Sequence, residues 1–274
     1  MRKTMQQAFP IRFALGISLV VLLVAQVFLY TGTAVAHGSH AAYSCGNESS
    51  GHCYGTNDWF GPSGSYLGGG RTDIVVVTDS CSGCSSSLVS TEMWVYDNTS
   101  GETQYCLSGE CWIETGFVAN TSICNPNGWT ECYFWADNRA NGGFHVWALT
   151  LPSDNYGHHT RFKIKNLDNS DWYISVNPLA SSDGGFTGYS TSNTMYPQDE
   201  QMGQELGGTG GVTAPSTDFT NNEWADNLDN YYYQTKAGCS HTPNHCFAYD
   251  PPYTNWYSTP NCCNNGGDFQ VWTS

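Results

Sequence analysis

The sequence predicts an all-β fold, an antiparallel β-sandwich of the jelly-roll or concanavalin type, stapled by disulfides. Three observations carry this. Apolar and polar residues alternate with a period of two through a succession of short runs. Turn words such as Asn141-Gly142-Gly143 and Asp168-Asn169-Ser170 separate those runs. No window shows the 3.6-residue apolar period of an amphipathic helix, so fewer than about one residue in ten is expected to be helical.

The chain has 274 residues, and its first 36 read as a targeting segment. Arg2, Lys3 and Arg12 precede an apolar run from Phe13 to Tyr30, and the small-residue word Ala34-Val35-Ala36 follows. That order is the signature of a secretory signal peptide cleaved after Ala36. The run is long enough that an uncleaved anchor is the alternative. Residues 37–70, rich in Gly, Ser, His and Tyr, read as a loop-rich N-terminal segment, and residues 71–274 as one sandwich domain with a Cys-rich tail.

Thr72–Thr78 is a β-branched run suited to a buried strand. Glu92–Tyr96 is a second strand, closed by the turn formers Asp97-Asn98. Cys111–Asn120 alternates along its whole length, and Glu131–Asp137 and Phe144–Leu151 follow. Arg161, Lys163 and Lys165 alternate with Phe162 and Ile164, giving a wet and a buried face, and a hairpin turn leads into Trp172–Val176. Residues 178–200 read as a polar connection. Met202–Leu206 is a short strand before a glycine-rich turn, and Phe269–Trp272 is the last strand.

All twelve cysteines fall after residue 36. An even count in an exported chain implies disulfides, and short spacings suggest local loops such as Cys45–Cys53, Cys81–Cys84, Cys106–Cys111 and Cys124–Cys132. Without its first 36 residues the chain keeps six Lys and Arg against 24 Asp and Glu, a formal charge of −18. That balance argues against nucleic acid as a partner, and no segment after residue 36 is apolar enough to span a membrane. It suits an extracellular protein working at low pH, where neutralised carboxylates repel one another less.

Chemistry concentrates on two glutamates. In Cys111–Asn120, Glu114 shares a face with Trp112, Gly116 and Val118, opposite Ile113, Thr115 and Phe117. It stands on a rigid strand beside a glycine that lets a partner approach closely. Glu205 lies on a face with Gly203 and Gly207, a second glutamate bracketed by glycines. A carboxyl group in partly apolar surroundings acquires the raised pKa that general acid–base catalysis uses.

Residues 90–210 resemble the glutamic peptidases, the eqolisin and neprosin groups. Ile113-Glu114-Thr115-Gly116-Phe117 is similar to the strand that carries the first catalytic residue of that superfamily. Tyr133-Phe134-Trp135-Ala136-Asp137 is similar to the aromatic strand with an acidic end that comes next. Tyr196-Pro197 and Gly203-Gln204-Glu205-Leu206 resemble the words at the second glutamate, although position 204 is Gln where the neprosin group has Gly. The resemblance implies a β-sandwich endopeptidase acting on polypeptides in acid, with Glu114 and Glu205 as catalytic residues and no metal or cofactor. Trp112, Tyr133, Trp135 and Gln204 are the expected substrate-binding residues.

The same carboxylates suit a glycoside hydrolase, with Trp112, Trp135, Trp147, Trp172 and Tyr173 stacking sugars. A non-catalytic carbohydrate-binding or cell-surface module would use the aromatics alone. A further alternative starts from His37, the first residue after cleavage. Its amine and ring would chelate copper together with His145, His158 or His159, as in a copper monooxygenase.

Overall fold

The structure is a computed structural model that describes residues 52–60, 66–78, 87–97, 111–124, 127–139, 143–168, 170–181, 185–191, 194–208, 214–234, 247–250, 256–259 and 268–273. The targeting segment, His37 and the cysteine pairings that involve Cys45, Cys81, Cys84 and Cys106 lie outside the described residues.

The fold is the expected one, two antiparallel sheets packed face to face. The strands in chain order are β1 (His52–Phe60), β2 (Gly69–Val75), β3 (Ser87–Asp97), β4 (Cys111–Ala119), β5 (Glu131–Arg139), β6 (Gly143–Leu149), β7 (His159–Asn166), β8 (Trp172–Pro178), β9 (Phe186–Ser190), β10 (Asp199–Gly208), β11 (Thr217–Ala225), β12 (Tyr231–Tyr233), β13 (Phe247–Asp250), β14 (Trp256–Ser258) and β15 (Phe269–Thr273). The first sheet runs β13-β1-β10-β3-β4-β5-β6; the second runs β14-β15-β11-β2-β7-β8-β9, with β12 added to β11. One helical turn, α1 (Thr121–Cys124), follows β4, and Asn120 Oδ1 accepts from the Ile123 N–H at its start.

Alternation decides which side chains enter the core. On β4, Ile113 and Phe117 point between the sheets; on β3, Met93 and Val95 do so. Ile74, Phe162, Ile164, Trp172, Ile174 and Val176 meet them from the second sheet. Each such buried side chain contributes about 1.5–3 kcal/mol of transfer free energy. The Tyr133 hydroxyl also spans the gap, 2.7 Å from Thr160 Oγ1.

A second, smaller apolar cluster lies on the outer face of the first sheet. Val118, Cys132, Phe134 and Ala136 pack there beneath Cys124 of α1, which the Cys124–Cys132 disulfide fastens to β5. This is one of the expected pairings, and Cys53 and Cys111 are disulfide-bonded too.

Several segments differ from the sequence reading, and β11, β12, β13 and β14 lie in a stretch for which it named no strand. Residues 52–60, expected in a loop-rich segment, form β1 between β13 and β10. Its buried residues include Thr56, Asn57 and Asp58, so no apolar alternation marks it. Residues 186–190, expected within a connection, form β9 at the edge of the second sheet. β3 and β10 each extend beyond their expected ends, because pairing with each other continues from Asp199–Tyr96 to Gly208–Ser87.

Candidate functional site

β10, β3 and β4 lie side by side, and their register builds the site. Glu205 pairs with Ser90, Gly203 with Glu92, and Gln201 with Trp94 across β10 and β3. Across β3 and β4, Ser90 pairs with Val118, Glu92 with Gly116, and Trp94 with Glu114. All these residues share the outer face of the first sheet. Glu114 and Glu205 therefore stand on the same face, on the two strands that flank β3, and Glu92 lies between them on both diagonals. From β1, Tyr54 stands opposite Glu205.

Glycine makes this possible. Gly116 and Gly203 flank Glu92, and neither has room for a side chain. A Cβ at Gly116 would lie 2.5 Å from the Glu92 Cβ, and one at Gly203 would lie 2.1 Å from the Gly55 carbonyl oxygen. The glycine beside Glu114 thus closes β4 on a third carboxyl residue, Glu92, and the glycine beside Glu205 closes β10 on the backbone of β1.

The hydrogen bonds are specific. The Trp94 indole N–H donates to Glu114 Oε2 at 2.7 Å. The Ser90 hydroxyl donates to Glu92 Oε1. The Tyr54 hydroxyl bonds Glu205, and its ring meets Trp94 edge-on at 6.2 Å. Burial pushes the Glu92 carboxyl well above the usual carboxylate range, and the neighbouring charges of Glu114 and Glu205 push it further, against the pull of Ser90. Burial likewise raises Tyr54, followed by the charges of Glu205 and Glu114, which keeps its hydroxyl protonated as a donor.

Tyr54, Ser90, Trp94, Glu114, Gln201 and Glu205 line one side of an open cavity of about 160 Å³, with Glu92 buried outside its lining. The other side is apolar, formed by Trp112, Val118, Ile123, Phe134, Phe144 and Val146. Trp112 leans on Phe144 with ring centroids 5.7 Å apart, and Phe144 is 53% exposed. The site thus offers carboxyl groups beside a hydrophobic wall.

Of the expected substrate-binding residues, Trp112 lines this cavity. Tyr133, Trp135 and Gln204 do not, because their strand parity turns them to the opposite, interior face. Tyr133 is fully buried, Trp135 stacks on Trp147 with centroids 3.7 Å apart, and the Gln204 amide donates to Thr91 Oγ1, Thr217 Oγ1 and the Pro215 carbonyl. Trp172 is also fully buried, so neither it nor Trp135 presents a face for sugar stacking. His145 Nδ1 lies 3.2 Å from Asp137 Oδ1, and His159 Nδ1 lies 3.4 Å from Thr220 Oγ1. Among the described residues, no group of three His, Cys, Asp or Glu is placed to hold a metal ion, and no helix is long and apolar enough to cross a membrane.

Sequence reasoning missed Glu92, Tyr54, Ser90, Trp94 and Gln201. One signal was available: Ser90, Glu92 and Trp94 alternate on a strand that must pair with something, and glycine sits at the centre of both glutamate-bearing strands. Tyr54 carried no such signal, since β1 itself was not recognised.

No protein-family model matches the sequence, and no curated protein matches it. Solved structures do match in fold. Scytalido-glutamic peptidase with a transition state analog inhibitor aligns with a TM-score of 0.52 at 9% identity, covering 82% of this chain and all of that one. The same peptidase with a peptide-based transition state analog aligns at 0.48 and 10% identity, with the same coverage. SCP-B, a member of the eqolisin family of peptidases in complex with the tripeptide Ala-Ile-His, aligns at 0.46 and 10% identity, over 82% of this chain and 99% of that one. At such identities the likeness is one of fold: this chain is an eqolisin-like β-sandwich.

Proposed function

We propose that the protein is a secreted endopeptidase acting in acid, with Glu114 and Glu205 as its catalytic residues. The observation that carries the reading is the placement of these two glutamates on one face, on the strands either side of β3, at the edge of a cavity with an apolar far wall. The fold shared with a glutamic peptidase supports the reading as an analogy of scaffold.

The chemistry needs one ionised and one protonated glutamate. A polypeptide lies across the sheet with its scissile amide above Glu92 and an apolar side chain against Trp112 and Phe144. The ionised glutamate takes a proton from water as the water oxygen bonds to the carbonyl carbon. The protonated one donates to the carbonyl oxygen; as the tetrahedral intermediate collapses it takes that proton back, and the C–N bond breaks as the nitrogen gains the proton that the base drew from water. Because Glu92 separates the two, they act from opposite sides of the reacting bond and do not share one hydrogen bond. Trp94 fixes the Glu114 carboxyl in this geometry.

The Cys124–Cys132 disulfide supports an oxidising compartment, in keeping with release after loss of residues 1–36. Incubation of the secreted protein with denatured casein across the range where carboxyls titrate, about pH 2 to 6, tests the reading. Cleavage beside apolar residues, unaffected by serine- or cysteine-directed reagents, is expected. No cleavage anywhere in that range would end it.

A further inference from the structure

Glu92 is fully buried, and nothing in a two-glutamate mechanism uses it. Its Oε1 accepts from Ser90, whereas no donor N–H or O–H reaches the buried Oε2, and Glu205 is the carboxyl group on the diagonal of the β10–β3 register, with which Glu92 interacts. Two ionised carboxylates do not hydrogen-bond one another; a proton must lie between them. Its position is decided by surroundings. Glu205 is 8% exposed and bonded by the Tyr54 hydroxyl, whereas Glu92 is fully buried, with Gly116 closed against its Cα and Cβ. Charge is cheaper on the wetter group that already has a donor, so the proton belongs to Glu92 and the charge to Glu205.

We propose that Glu92 is a positioning residue of the candidate reaction: as a neutral carboxylic acid it donates a hydrogen bond to Glu205 and holds that carboxylate ionised as the base, leaving Glu114 to carry the proton that the carbonyl oxygen takes. The second half rests on the peptidase reading above; the first half does not. The ionisable groups that face Glu92 are Glu205 from β10, Glu114 from β4 and Tyr54 from β1. Asp58 lies further along β1, where the Thr56 hydroxyl donates to it at 2.7 Å. Glu114 and Glu205 both oppose ionisation of Glu92 by their charge, and burial opposes it more strongly. Glu205 thereby receives two donors, the Tyr54 and Glu92 hydroxyls, which is how a site separates the roles of like groups.

Infrared difference spectroscopy at about pH 7, wild type minus E92Q, reads the proton directly, because a protonated carboxyl has its own carbonyl band and an unperturbed glutamate is ionised at that pH. The amide of E92Q fills the same slot, and every other carboxyl cancels. A protonated-carboxyl band in the difference is expected; its absence overturns the proposal whether or not the protein cleaves peptides. On an active wild type, E92L should lose about tenfold to a hundredfold in kcat/KM, the worth of one hydrogen bond to a charge. E92Q should recover most of that loss, since its N–H still donates. An E92Q as impaired as E92L would overturn the donor role. A wild type that shows the band but cleaves nothing would overturn the peptidase reading and the positioning role with it, while the proton stays on Glu92.

Discussion

Replacing Gly116 by alanine tests the packing on which the site depends. The added Cβ would stand 2.2 Å from the Thr91 carbonyl oxygen, 2.5 Å from the Glu92 Cβ and 2.7 Å from the Glu92 Cα. Two of the three are main-chain atoms, so no side-chain rotation relieves the clash. Ordinary contacts of this kind lie at about 3.5–4 Å, so β3 and β4 must part by roughly 1 Å at their central pair. Overpacking of a well-filled site costs about 1–3 kcal/mol, and a clash against backbone belongs at the upper end, about 3 kcal/mol. For a domain of this size that lowers Tm by about 6–12 °C. Gly128 is the control: its φ is +78° and nothing lies within 4 Å of its added Cβ, so G128A bears only the left-handed strain of about 1–2 kcal/mol. Thermal unfolding followed by near-ultraviolet circular dichroism reads both. A G116A variant no less stable than G128A would show that the strands do not close on Glu92 as described.

The pH dependence of stability has a definite sign. Burial raises Glu92 and Glu200, with nearby carboxylates adding to the effect, so the folded chain keeps protons that the unfolded chain releases near pH 4.3. Their contribution is complete below that pH and is lost as pH rises through the folded-state values. E200Q should therefore stabilise the protein against urea at about pH 7 and change little at about pH 4; a gain confined to acid would refute this. Removing the Cys124–Cys132 disulfide as C124A/C132A opens a loop of sequence separation 8 and should cost about 2.5 kcal/mol of denaturant stability. An unchanged midpoint would show that α1 is held by packing alone.

The sandwich was legible wherever strands alternate apolar and polar residues. Ile113, Thr115 and Phe117 face inward and Trp112, Glu114 and Gly116 outward, as their parity requires. β1 was not legible, because Thr56, Asn57 and Asp58 are buried polar residues whose neighbours come from distant strands. Parity also governs where the expected substrate-binding residues lie. Tyr133 and Trp135 stand on the same strand as Phe134, but one step along a strand exchanges cavity for core. Gln204 reads from sequence as a neighbour of Glu205, and for the same reason it points the other way. Glu92 needed register: its position between Glu114 and Glu205 follows from pairing with both β10 and β4, which no single stretch of sequence contains.

The central claim is that Glu114 and Glu205 act together on one bond. The most direct measurement is kcat/KM for a denatured-protein or peptide substrate at acidic pH, for E114Q, E205Q and the double variant. Gln keeps the shape of each side chain and removes its titrating proton. Groups that act as a unit are strongly non-additive. The account predicts that either single change abolishes nearly all activity and that the double variant is little worse than either. Full activity in E114Q or E205Q, or losses that simply multiply in the double variant, would contradict it.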